Sequence, residues 1–319
     1  PLSRSGRRSL VTMSDSYEPA SVDGGAYSAP TTHSTGSFHY GAGANAQTLD
    51  IMMMVVLIGY AILFSALSMT CMFNRSNNSG FTRFDTEAPN VGSAKVSELD
   101  AMWRKAFIGK VYSIVCCQLF ITVVVSFIMM QYGGAKLMVW TLTDGSWAFT
   151  ASFVGLIASF CALMCNRQKF PHNLIFLGIF TLAMSWIIGM TCTMYAARGM
   201  AALVLEAFAI TSIIFISLTL FTIQSKIDFS FLGAGLGVAL MGLFVWGLFA
   251  MVAFPSFIFS QVYALIGSLI FSLYIVYDTW VITTTLSYDE YVLGAINLYL
   301  DFVNLFLMIL RLLSGGSRE

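Results

Sequence analysis

Eight uninterrupted apolar runs dominate this chain, and each is long enough to cross the roughly 30 Å hydrocarbon core of a bilayer. Of the 319 residues, 57% are hydrophobic and only 10% are charged, which is far from the balance of a soluble domain. Because hydrocarbon offers no water to backbone amides, these runs must be helices. The sequence therefore predicts an all-α membrane protein with spans at 51–73, 107–130, 147–165, 174–195, 201–223, 231–254, 259–284 and 291–313.

The first span stands apart from the other seven. We predict one extra transmembrane helix over 49–74, a polar linker over 75–105 and a seven-helix domain over 106–314. Residues 1–48 form a Ser/Gly-rich tail, and 315–319 form a short C-terminal tail. A segment with the composition of 1–48 cannot bury a core of its own. If this tail is ordered, we expect protein partners to hold it.

The stretch PLSRSGRRSLVTM at the N-terminus contains three arginines and no acidic residue. Arg- and Ser-rich composition without acids is typical of mitochondrial presequences. Two interpretations stay open at this point: the remnant of a processed presequence, and an arbitrary chain end.

Basic residues are concentrated in the segments expected on one side of the membrane. The linker carries five of them, whereas the loops of the opposite side carry only Lys136 and Arg198. The positive-inside rule places the linker and the loops 166–173, 224–230 and 286–291 on the cytosolic or matrix side. We call this the basic side, and the opposite one the far side.

Net charge and motifs exclude several classes of function. The sixteen basic and sixteen acidic residues cancel, which gives no basis for a nucleic-acid partner. The sequence has no HExxH, GxSxG or phosphate-loop pattern, and its three histidines lie in the tail and in a loop. An intramembrane aspartyl protease is disfavoured, because LYL precedes Asp301 where that class has a glycine. We expect neither an enzyme nor a cofactor.

Acidic residues inside the spans are the strongest candidates for function. An aspartate at the centre of a spanning helix costs about 2.5–3.5 kcal/mol, so such residues are functional candidates by default. Asp278 lies in LYIVYDTWVI, and Asp301 lies in INLYLDFVNLFL. Glu206, in ALVLEAFAIT, is a third candidate that lies closer to the end of its span.

Polar neighbours support a common pathway along the last two helices. Asn297, Asp301 and Asn304 share one helix face, and Tyr274 shares the face of Asp278. The short loop between these helices makes them antiparallel neighbours, which can bring Asp278 and Asp301 to a similar depth. We expect the asparagines to be able to hydrogen-bond a carboxyl group there.

Two carboxylates in contact in a medium of low dielectric constant cannot both ionise cheaply, so the pair should share a proton near neutral pH. Oxygen ligands of this kind also suit a hard cation, which makes Asp278 and Asp301 a candidate transient Ca²⁺ site. The alternative is a purely structural pair of aspartates that locks two helices together.

Several stretches resemble the transmembrane Bax-inhibitor-motif family, in particular its lifeguard branch. They are MWRKAFIGKVYSIVCCQLFITVVVSF, FPHNLIFLGIFTLAMSW, KIDFSFLG, LYIVYDTW and EYVLGAINLYLDFVNLFLMILRLL, and they run from about Met102 to Leu313. The resemblance implies a seven-helix bundle, a pH-sensitive calcium leak and suppression of cell death. It also implies that the paired aspartates of the last two helices, here Asp278 and Asp301, form the pH-sensing gate. Glu206 matches an acid of some members.

Location and role have alternatives. The extra helix and the arginine-rich N-terminus are similar to the mitochondrial inner-membrane branch of the family, which is linked to calcium/proton exchange. The amino-acid sequences of the motifs are closer to those of the lifeguard branch, whose members lie in the Golgi and the endoplasmic reticulum. We therefore expect an organelle membrane, with the mitochondrial inner membrane favoured. A non-conducting accessory subunit of a larger membrane complex is the second functional expectation.

Overall fold

Seven long helices make up most of the structure. The computed structural model describes Lys95, 101–133, Lys136, Trp140, 146–166, 170–253 and 261–316. The helices are α1 (Ala101–Ile128), α2 (Ser146–Cys165), α3 (His172–Ala197), α4 (Ala201–Gln224), α5 (Ser230–Ala253), α6 (Gln261–Thr284) and α7 (Tyr291–Gly316). A π-helical turn, Met129–Gly133, extends α1, and a 3-10 turn, Tyr288–Glu290, precedes α7.

The helices agree with the predicted all-α membrane fold. Among the described residues, α1 and α3 to α7 are long and apolar enough to cross a membrane, whereas the apolar part of α2 is shorter, Ala151–Cys165. Large apolar side chains such as Phe120, Leu205 and Val238 are exposed on the outside of the bundle, as lipid contact requires. The tail 1–48, the extra span 51–73, all of the linker 75–105 except Lys95 and 101–105, and the terminal 317–319 lie outside the described residues.

Helix α7 is the centre of the bundle. Within the 18-residue apolar stretch that would cross the membrane, 94% of α7 is buried, compared with 22% of α1 and of α4. It packs against α6, α4, α1 and α3, while α5 packs against α6 and α2 packs against α3. A helix surrounded on all sides by protein must satisfy its polar side chains inside the bundle, because they reach neither water nor headgroups.

The basic-side end of α7 is attached to α1 and α3. The Tyr288 ring packs edge-on against Trp103, with centroids 6.2 Å apart, and lies 5.6 Å from Phe107. The Lys110 ammonium lies 3.2 Å above the Tyr291 ring, and Asn173 donates a hydrogen bond to the Tyr291 hydroxyl. These contacts fix where α7 enters the bundle.

Two glycines allow α6 to approach its neighbours closely. A Cβ at Gly233 of α5 would lie 2.6 Å from Oη of Tyr277, and one at Gly267 of α6 would lie 2.8 Å from Sδ of Met308. Small residues at helix contacts are the usual means of close packing in membranes.

We predict that Gly233→Ala destabilises the bundle by about 1–3 kcal/mol, because the added methyl group overlaps the Tyr277 ring. Gly235→Ala is the matched control: it is in the same helix, gains the same helix propensity and meets nothing within 4 Å. Thermal unfolding in detergent should show a lower midpoint for Gly233→Ala only. Equal midpoints would contradict the α5–α6 contact.

Candidate functional site

The two intramembrane aspartates meet in the structure. The loop between α6 and α7 is short, so Asp278, six residues before the end of α6, and Asp301, ten residues after the start of α7, reach the same depth. Their exposed fractions are 6% and 0%. The two carboxyl groups lie close enough to interact electrostatically with each other. The predicted juxtaposition is therefore present, between α6 and the central helix α7.

The Asp301 carboxyl is buried with the Asp278 carboxyl as an interacting neighbour. Among the described residues, no amide, hydroxyl or cation donates a hydrogen bond to either Asp301 oxygen. An ionised carboxylate only accepts hydrogen bonds, so a hydrogen bond between the two groups would require one proton.

Tyr112 of α1 forms a further wall of the site. Its hydroxyl lies 3.1 Å from Oγ1 of Thr279, the residue after Asp278. One phenol thus joins α1 to α6 beside the Asp278 carboxyl. We did not predict Tyr112 from the sequence, because a single tyrosine in an apolar helix resembles an ordinary packing residue.

The other predicted residues of the last two helices are placed differently. Asn304 is buried, but its amide donates to the Leu300 carbonyl of its own helix at 2.8 Å. The expectation that it donates to the Asp301 carboxyl is wrong, because the short side chain reaches the carbonyl one turn back. Asn297 is half-buried, whereas Tyr274 is buried with its ring 6.4 Å from Phe271.

Two charged residues lie away from the pair. Glu206 is exposed on α4, next to Leu205, which is 70% exposed, and so it faces outward. Arg311 is buried near the far-side end of α7, with its guanidinium 5.9 Å from the Tyr263 ring. It lies ten residues, about 15 Å along the helix, from Asp301.

The pair by itself does not make a complete metal site. Within the described parts of the chain, no three His, Cys, Asp or Glu residues lie close enough to hold a metal ion. Ca²⁺ takes about 6–8 oxygen ligands, and the pair supplies two carboxyl groups.

The fold and the site define a class: a helical, multi-pass membrane protein with a pair of carboxyl groups buried between its last two helices. The sequence model described as "Inhibitor of apoptosis-promoting Bax1" matches residues 104–318. The chain belongs to this Bax inhibitor family, as the resemblance predicted.

Relatives cover most of the chain. The "Golgi anti-apoptotic protein" of Vaccinia virus (strain Lister) is 37% identical over 72% of this chain and 93% of its own length. "Protein lifeguard 4" of Mus musculus is 36% identical over the same shares, 72% and 93%. "Bax inhibitor 1" of Schizosaccharomyces pombe is 36% identical over 72% of this chain and 85% of its own length.

We predict that Tyr112→Phe lowers the stability of the bundle by about 1 kcal/mol, because it removes the hydrogen bond to Thr279. The neighbouring Ser113→Ala is the control, since Ser113 bonds only within its own helix in this structure. Urea unfolding in mixed micelles compares the two variants. Equal stabilities would show that the contact around Tyr112 contributes nothing.

Proposed function

We propose that this protein is a pH-sensitive calcium leak channel or calcium/proton exchanger of an organelle membrane, gated by the Asp278–Asp301 pair. One observation carries the proposal: two carboxyl groups of antiparallel helices are buried beside each other inside the bundle. A transport function fits a chain whose candidate site is buried among spanning helices. The competing explanation is a purely structural pair of aspartates, and the flux experiment below distinguishes it from transport.

The shared proton would hold the route closed. While it is present, the carboxyl groups of α6 and α7 attract each other. Two unit charges about 4 Å apart repel by about 4 kcal/mol at an effective dielectric constant of about 20. Loss of the proton as pH rises thus turns an attraction into a repulsion that favours separation of α6 from α7. The two ionised carboxylates then attract a divalent cation, and its charge replaces that of the proton.

The names of the relatives suggest the cellular role. The viral relative is named as an anti-apoptotic protein. We propose that this chain likewise suppresses cell death, and that calcium release through the aspartate gate is the means.

We predict that calcium flux into proteoliposomes of the full chain rises between about pH 6 and 8, across the range in which a shared carboxyl proton is expected to leave. Asp278→Asn and Asp301→Asn should each give low flux that no longer depends on pH, because an amide hydrogen-bonds the remaining carboxyl at any pH. Asp289→Asn makes the same change on an exposed loop residue and should behave as the wild type.

An absence of flux above empty liposomes at every pH, from protein shown to be folded, would contradict the transport proposal. It would leave the aspartates as a structural pair. The non-conducting accessory subunit would then be the better explanation.

We infer a location in the Golgi or the endoplasmic reticulum. The relative named for the Golgi matches 72% of this chain. The mitochondrial prediction stays untested, since it depends on the N-terminal region outside the described residues. A fluorescent protein fused to the C-terminus should colocalise with a Golgi or endoplasmic reticulum marker, and colocalisation with a mitochondrial marker would contradict the inference.

A further inference from the structure

A second polar region lies between α1 and α3. Its members recur at every fourth residue of each helix: Gln118, Thr122 and Ser126 on α1, and Thr181, Ser185 and Gly189 on α3. The same offset of 63 residues separates each facing pair, so the two helices run parallel in register. We call these six residues the polar seam.

Two of the three facing pairs are hydrogen-bonded. Nε2 of Gln118 donates to Oγ1 of Thr181 at 3.0 Å, and Oγ1 of Thr122 lies 3.0 Å from Oγ of Ser185. At the third pair the backbones approach closely: a Cβ at Gly189 would lie 3.3 Å from Cα of Ser126.

Tyr299 of α7 joins the seam at its middle pair. Its ring is fully buried, and its hydroxyl lies 2.8 Å from Oγ1 of Thr122. Tyr299 and Asp301 are two residues apart on a helix, and their side chains therefore point in nearly opposite directions. The seam and the aspartate pair thus lie on opposite sides of α7.

Two polar atoms of the seam are left over. Among the described residues, Oε1 of Gln118 and Oγ of Ser126 have no hydrogen-bond partner, although their residues are only 3% and 8% exposed. A buried polar atom without a partner costs about 1–3 kcal/mol, and native proteins rarely leave one so. Internal water is the usual partner in a polar site of this kind.

We propose that the polar seam binds internal water at two points, one beside Gln118 Oε1 and one beside Ser126 Oγ. The chemistry of the seam favours water over a cation, because one amide oxygen and several hydroxyl groups carry no charge to balance an ion. Water there gives α7 a hydrated surface on the side away from the aspartates.

Met129 closes the far-side end of the seam. Its sulfur lies where a side chain on Gly189 would begin, 2.5 Å from the position of the Cβ. Met129 is also the first residue of the π-helical turn, a distortion that frequently marks functional positions in helices. A methionine has three rotatable bonds, so it can move aside and admit water from the far side.

Access of Ag⁺ to single cysteines tests the site without any reference to calcium transport. The six native cysteines are first replaced by serine or alanine in the full chain. Ser126→Cys is then compared with Val123→Cys, which is 41% exposed on the outer surface of the same helix. Membranes are treated with Ag⁺ and unfolded in SDS, and the remaining thiols are counted with a fluorescent maleimide.

We expect Ser126→Cys to react about tenfold faster than Val123→Cys, because only a hydrated thiol ionises to the reactive thiolate. Gln118→Cys against Phe120→Cys, which faces outward, is a second, independent pair with the same expectation. Adding Met129→Ala should further accelerate the reaction of Ser126→Cys. Seam cysteines that react no faster than their outward-facing controls would overturn the water site, and a rate unaffected by Met129→Ala would overturn closure by Met129.

Discussion

The burial of two neighbouring carboxyl groups constrains the rest of this structure. Asp301 is fully buried on the helix that lies at the centre of the bundle. Such a group is tolerated in a membrane only with a partner. Asp278 is the carboxyl group beside it. Two ionised carboxylates would repel each other at this depth, and the proposed function therefore depends on a proton that the pair shares.

The position of α7 explains how one pair can influence the whole bundle. On one side α7 is joined to α6 through the aspartates, and on the other it is joined to α1 and α3 through Tyr299. In the proposed mechanism the first attachment depends on a proton, whereas the second consists of hydroxyl groups that do not titrate near neutral pH. A change of pH would then act on one face of α7 and leave the other attached, which favours movement between α6 and α7.

Much of the fold and part of the site could be predicted from the sequence. Apolar runs gave the helices, because length and hydropathy decide what spans a membrane. The proximity of Asp278 and Asp301 could be predicted from the cost of burying a charge and from the short loop between α6 and α7. Tyr112 and the polar seam could not be predicted, because their roles depend on which helices are neighbours. The prediction that Asn304 donates to a carboxyl group was wrong, because the Leu300 carbonyl of the same helix accepts the hydrogen bond from its side-chain amide.

Infrared spectroscopy of the carboxyl C=O stretch is the most direct test of the proton between Asp278 and Asp301. The purified chain in lipid is compared with the double variant Asp278→Asn/Asp301→Asn at neutral pH and at high pH. The account predicts a protonated carboxyl band at neutral pH that the double variant lacks and that disappears as pH rises. Identical spectra in this region for the two proteins at neutral pH would show both aspartates ionised and would contradict the shared proton.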